Sequence, residues 1–262
     1  MKKHTAIKFL LCCIALLCFV STASPQTIWK DNKLYVDSSN IENATIEASI
    51  LNPDPLLRYK LMVVHEEETY YYDLYPEETA VIPLQMGHGA YKLQLYEQVH
   101  DTIYDQAGKT KLYLSTENEN KVWLQPNVRV NYTAYKDRLL EELRKMDLSN
   151  NSEKEKFEKI SFVTRNHYAY DYIAPYSERL PTHVDFDFVL TNHIGSCEEM
   201  AALTVAFCRL EGIPATLVIG KANGKTHAWV KAFIDEAMVE VFDPSTTESR
   251  QEKTTYIPER YY

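Results

Sequence analysis

The chain has 262 residues with 28 basic against 37 acidic side chains, giving a formal charge of −9 and an apolar share of 45%. That acidity, with no Lys/Arg cluster interleaved with aromatics, argues against a nucleic-acid partner. Only seven glycines occur, with no low-complexity tract and no solenoid-length repeat, which argues against long disordered linkers and stacked-repeat architectures.

The first 23 residues read as a secretory signal peptide. Lys2, Lys3 and Lys8 supply positive charge, Phe9 to Val20 is an unbroken apolar run, and Ser21-Thr22-Ala23-Ser24 suits cleavage after Ala23. The run is twelve residues long, against the roughly 20 that a spanning helix needs. The expectation is export to the cell surface or medium, with no stable membrane insertion once the leader is removed. Cys18 is a poor lipidation site because bulky Leu17 precedes it. Losing three lysines and no acids moves the balance from −9 to −12. The remaining 239 or so residues suffice for two modest domains, expected over 24–125 and 126–262.

From about Leu34 to Leu124 the pattern is strand-like, with short alternating runs at Tyr59 to Val64, Tyr70 to Leu74, Ala80 to Leu84 and Ala90 to Tyr96. Asn52-Pro53-Asp54-Pro55 and Gly87-His88-Gly89 punctuate them as turns. Strands at this spacing without intervening helices predict a small antiparallel sandwich. Its many tyrosines are ordinary strand residues with one wet end, or else a sugar- or peptide-binding face. Beyond Gln125 the character changes. Leu139, Leu140 and Leu143 mark a helix over Ala134 to Met146, and a second is expected over about Ser152 to Tyr168, their charged runs reading as solvated faces.

The segment Gly195-Ser196-Cys197-Glu198-Glu199 carries the most chemistry. Ser196 and Glu199 form a serine-x-x-glutamate capping box ahead of an apolar run, which makes Cys197 the first helical residue. The helix should stop at Gly212, with Pro214 beyond. Three of the five cysteines leave with the leader. The remaining pair, Cys197 and Cys208, sit on this one helix roughly 16 Å apart, beyond disulfide reach. An unpaired thiol in an exported protein invites a chemical explanation. Free amides and the positive dipole end of the helix favour thiolate, while Glu198 and Glu199 oppose it, so an imidazolium partner is needed. The helix mouth alone leaves two readings open, an inert buried cysteine and an activated nucleophile.

The partner candidate is His227, which opens the alternating run His227 to Ile234. A second run, Met238 to Pro244, follows the turn Asp235-Glu236-Ala237. A hairpin centred on Asp235 would set His227 directly opposite Asp243, with side-chain roots about 4.5–5.5 Å apart. That spacing suits a carboxylate that orients an imidazole. A one-residue slip would send the two to opposite faces, and Asp243-Pro244-Ser245 alone is equally a turn-forming strand end.

The order of these blocks resembles the transglutaminase-like superfamily of cysteine enzymes, which share a papain-like core. The resemblance rests on Gly195-Ser196-Cys197 with Ala201, Leu210 to Ala215, His227-Ala228-Trp229-Val230 and Phe242-Asp243-Pro244-Ser245. A softer likeness, over Pro83 to Tyr91 and Gln125-Pro126-Asn127, is to the N-terminal sandwich of some exported bacterial members. The resemblance implies an α+β fold, a central helix packed on an antiparallel sheet and preceded by a small β-sandwich. It implies catalytic roles for Cys197 as nucleophile, His227 as general base and acid, and Asp243 as orienting carboxylate. The substrates would be amide bonds of proteins, peptides or cell-wall peptides, cleaved or transferred through a thioester. The alternative is a catalytically silent member acting as a surface-binding or scaffolding module.

One oxyanion donor is expected at the backbone amide of Cys197. A second has no fixed source; Asn166, Tyr168 and Tyr170 lie upstream where such a donor could come from, with loop or packing roles the favoured reading. Trp229 is expected behind His227, and His193 reads as a surface residue. No metal and no cofactor are expected, because two cysteines at this helical separation cannot share a zinc and no phosphate-cradling glycine loop occurs. Oligomeric state is open.

Overall fold

The computed structural model describes residues 27–116, 119–173, 184–234 and 238–262, so the leader expected over 1–23 and the turn expected at 235–237 lie outside the described residues. The N-terminal strands are β1 (Ile28–Asp31), β2 (Leu34–Asp37), β3 (Thr45–Ile50), β4 (Tyr59–His65), β5 (Glu68–Leu74), β6 (Ala80–Pro83), β7 (Gly89–His100) and β8 (Ile103–Leu114). They form two four-stranded antiparallel sheets, ordered β1-β2-β3-β6 and β5-β4-β7-β8. Alternation does the sorting. Tyr59, Leu61 and Val63 of β4 and Tyr91, Leu93 and Leu95 of β7 point inward, as do Leu34 and Val36 of β2 and Ile46 and Ala48 of β3. These rows belong to one continuous apolar core, which makes the unit a β-sandwich.

Three of the tyrosines serve the core. Tyr59, Tyr72 and Tyr91 are buried, and their hydroxyls meet Asp54 N at 2.8 Å, Gln85 Nε2 at 3.2 Å and Gly87 O at 2.7 Å. Of the seven tyrosines between 59 and 96, Tyr71 alone is exposed.

Apart from a 3-10 turn at Ile41–Asn43 before β3, the helical segments follow β8. Two 3-10 segments, Glu119–Leu124 and Thr133–Tyr135, lead into α1 (Lys136–Lys145) and α2 (Glu153–Asn166). A full capping box between Ser152 and Glu155 fixes the start of α2. Next come β9 (Ala169–Tyr170), α3 (Phe186–Asn192) and β10 (Ile194–Gly195), where β9 and β10 form a short parallel pair. They lead directly into α4 (Cys197–Leu210). The remainder is β11 (Ala215–Ala222), β12 (Lys225–Ile234), β13 (Met238–Phe242), α5 (Glu248–Gln251) and β14 (Tyr256–Tyr261), with the sheet ordered β13-β12-β11-β14.

The centre of this α+β half is α4, packed on β11 and β12 and flanked by α1 and α2. It is buried on every side from Glu199 to Arg209. Leu203, Val205 and Phe207 are at 0% exposure, and each contributes about 1.5–3 kcal/mol relative to leaving it in water. Past Leu210 the chain turns at Gly212, whose φ of +80° is the left-handed conformation that ends helices.

The far end of α4 is held by a charge. Arg209 is buried and donates from Nε to Ala215 O at 2.9 Å, from one terminal nitrogen to Gln125 O at 2.6 Å and from the other to Tyr262 O at 2.9 Å. Burial draws its pKa down to about 10. One guanidinium therefore ties the helix to the segment leaving the sandwich, to the start of β11 and to the residue that follows β14.

Candidate active site

The near end of α4 is built by its cap. Ser196 Oγ accepts from Glu199 N at 3.3 Å, and Glu199 returns the bond by accepting from Ser196 N at 2.7 Å. Glu199 is therefore spent on the backbone. Glu198 is ion-paired with Arg129, so its charge too is countered. The two acids that sequence reasoning set against a thiolate at Cys197 are both occupied. Cys197 stands half-buried at the helix mouth, and Cys208 is buried eleven residues on, its thiol pushed by burial up to about 12.

The hairpin register departs from expectation. Val230 pairs with Phe242, Lys231 with Val241 and Ile234 with Met238, which centres the hairpin one residue later than Asp235. Continued, this register sets Trp229 across from Asp243, and His227 becomes the diagonal neighbour. An offset of two preserves the face, since side chains alternate with period two. His227 and Asp243 accordingly still meet, with Nε2 and Oδ2 2.7 Å apart.

Ser245 Oγ lies 3.4 Å from the same Nε2, and the Cys197 side chain acts on the ring as well. Burial alone would draw the His227 pKa down, but the hydrogen bonds and charges of Asp243 and Cys197 outweigh it and raise the value from 6.5 to about 10. The Trp229 ring lies behind, 6.5 Å between centroids at 22°.

Asp243, 2% exposed, is saturated with donors. Its Oδ2 also accepts from the Tyr256 hydroxyl at 2.8 Å. The other oxygen, Oδ1, accepts from Ser245 N at 3.0 Å and Ser245 Oγ at 2.6 Å. Burial would raise the carboxyl pKa, yet the bonds from His227, Ser245 and Tyr256 carry it below 3.8. The backbone of Asp243 is fixed as well: Gln251 Oε1 accepts from its N at 2.9 Å and Arg165 donates to its O at 3.2 Å.

Tyr256 was invisible to sequence reasoning. It sits on β14, an edge strand that contains Pro258, and proline inside a run argues against a central strand while being tolerated at an edge. It reaches Asp243 because β14 closes tightly on β11 at Gly220, where the pairing shifts register. A side chain on Gly220 would begin 2.2 Å from Ile257 O and 2.8 Å from the Trp229 ring. Gly220 is also the cross-strand partner of His227.

Tyr170 packs against the core, as expected, and also lies close enough to Cys197 to feel it. Burial first, then the sulfur's charge and hydrogen bonding, push its pKa up to about 12. The signal was positional: β9 pairs Tyr170 with Gly195, two residues before the cysteine. The neighbouring candidates do not join the site by any such bond. Asn166 donates to Phe162 O at 2.7 Å, and Tyr168 stacks on His193 with centroids 5.1 Å apart. Among the described residues no group of three or more His, Cys, Asp or Glu is placed to hold a metal ion.

A cysteine at the mouth of a buried helix, facing a histidine and an aspartate carried by an antiparallel sheet, defines the papain-like class of fold. Residues 143–244 match the family model of the transglutaminase-like superfamily core. No curated protein matches the sequence. Among solved structures the chain is similar to a candidate cysteine protease from Cytophaga hutchinsonii, at 15% identity and a TM-score of 0.42, covering 72% of this chain and 76% of that one. It is also similar to red sea bream transglutaminase, at 12% identity and a TM-score of 0.33, covering 78% of this chain and 48% of that one. A candidate protease from Parabacteroides distasonis gives 12% identity and a TM-score of 0.31, covering 81% and 64%.

Proposed function

We propose that the protein is an exported thiol enzyme acting on amide bonds of proteins, peptides or cell-wall peptides, with Cys197, His227 and Asp243 as its catalytic triad. The observation that carries this reading is one imidazole that meets Asp243 at 2.7 Å and is acted on by the Cys197 side chain as well. With its pKa raised, the His227 ring is suited to take the proton from the thiol as the sulfur attacks. The sulfur attacks the amide carbonyl and forms a carbon–sulfur bond. As the tetrahedral intermediate collapses, the carbon–nitrogen bond breaks and the amine leaves with the proton from His227. Water, or a second amine, then attacks the thioester with His227 as base, and the thiol is restored.

Two donors serve the developing oxyanion. As the first residue of α4, Cys197 carries an amide with no intrahelical partner, and the Tyr170 hydroxyl adjoins the same sulfur. Asp243 stays ionised and holds the ring. In this reading the leader over 1–23 is removed on export, residues 24–125 form the sandwich unit and 126–262 the enzyme unit. The test is alkylation of the full chain with iodoacetamide, followed by peptide mapping. Rapid labelling confined to Cys197 and lost in His227→Ala is the expected result, and equal labelling of both proteins defeats the proposal.

A further inference from the structure

A cleft of about 870 Å³ opens beside the triad between α2 and the segment 240–251, within the size range of small-ligand sites. Its inner wall includes Tyr170, which touches the Cys197 sulfur, and Ser245, which donates to Asp243. Its outer wall is unusually apolar for a solvent-facing surface. Phe162 is 61% exposed, Tyr172 78% and Val241 40%, and all three line this one cleft. Scattered single apolar side chains on a surface need no explanation, but a converging group at the edge of a site does.

Charge does not select the occupant. Lys154, Arg165 and Arg250 are matched around the cleft by Glu158, Glu240 and Glu248, so neither sign of ligand is favoured. Strand addition is also blocked beside the triad. Although β13 is an edge strand, Gln251 donates to Val241 O at 2.8 Å and accepts from Asp243 N at 2.9 Å, occupying the edge that an extended peptide would pair with. What remains for recognition is side-chain size and apolarity.

We propose that this cleft is the specificity subsite of the enzyme, taking a bulky apolar or aromatic side chain next to the scissile amide, with Phe162 and Val241 as its reading residues. The inference rests on the thiol-enzyme reading, and the experiment separates the two. A series of acyl-amino-acid chloromethyl ketones carrying Phe, Leu, Gly, Asp or Lys is reacted with the full chain, and alkylation of Cys197 is followed by intact mass. Iodoacetamide, which has no side chain, reports the nucleophile alone. The Phe and Leu reagents should react at least about 10-fold faster than the Gly reagent, with Asp and Lys no faster than Gly. Phe162→Ser and Val241→Ser, both at exposed positions, should each shrink that preference to about 3-fold or less while the iodoacetamide rate holds.

A flat series with rapid iodoacetamide labelling overturns the subsite and leaves the thiol enzyme standing. A preference that survives both substitutions likewise overturns it. Slow iodoacetamide labelling that His227→Ala does not change overturns the enzyme reading and the subsite with it.

Discussion

The two ends of α4 carry the same residue type in opposite chemical states. At its mouth Cys197 is half-exposed and acts on the nearby His227 and Tyr170 side chains. At its far end Cys208 is sealed in the core beside Arg209, with its thiol pushed to about 12. One end places charges and donors around a sulfur, and the other spends a guanidinium on backbone carbonyls to close the fold. What a cysteine can do is therefore set by which helix end it occupies and what the sheet brings to it, not by the helix itself.

The comparison breaks most sharply at the mouth. Cys197→Ala or His227→Ala should lower turnover by about 10³-fold or more, measured as amine released from a peptide amide. Cys208→Ala should change turnover little, and Cys208 should take up label only in denaturant. Tyr170→Phe should cost about 10²-fold in kcat, the size of one lost oxyanion donor, with the iodoacetamide rate altered far less because alkylation develops no oxyanion. A fall in both rates alike would return Tyr170 to a packing role.

Smaller effects follow from the groups behind the imidazole. Tyr256→Phe should cost about 10-fold in kcat with little change in KM. It should also shift acid stability in a defined direction. Asp243 is held below 3.8 in the folded state, so its contribution is present above that value and lost as pH falls through the folded pKa. Removing one donor makes the depression smaller, and melting curves between pH 2 and 5 should show the loss starting at higher pH. His227 has the reverse sign. Its pKa rises from 6.5 unfolded to about 10 folded, so its contribution is complete below pH 6.5 and drains as pH climbs through 10. The Tm difference between the wild type and His227→Gln should narrow over that window.

Arg209→Met gives the smallest effect on reactivity and so sharpens the contrast. It leaves the Ala215 and Gln125 carbonyls short of a donor, at a cost of about 2–4 kcal/mol in stability. Iodoacetamide labelling of Cys197 should be unchanged at temperatures where the variant is folded.

Local signals carried far in the sequence. The Ser196/Glu199 box placed Cys197 at the first helical position, and alternation placed the inward rows of β4 and β7, because both are decided within a few residues. The register of β12 and β13 was missed by two, since the centre of a hairpin depends on turn geometry that composition does not reveal. The short α3 was missed although Asp185 caps it, accepting from Phe188 N at 3.0 Å, because seven residues give too little periodicity to see. Tyr256 was missed, and Tyr170 was named only as one of three upstream donor candidates, for a different reason. Each acts at a distance in the chain, through a strand pairing that no local pattern announces.

Gly220 gives that pairing a consequence. Its bare backbone lets β14 settle against β11 opposite His227, and that docking delivers the Tyr256 hydroxyl to Asp243. The phenol that completes the carboxylate's cage is thus held in place by a strand pairing, not by the segment that carries the carboxylate. Any change that lifts β14 off β11 would open that cage without touching Asp243 itself.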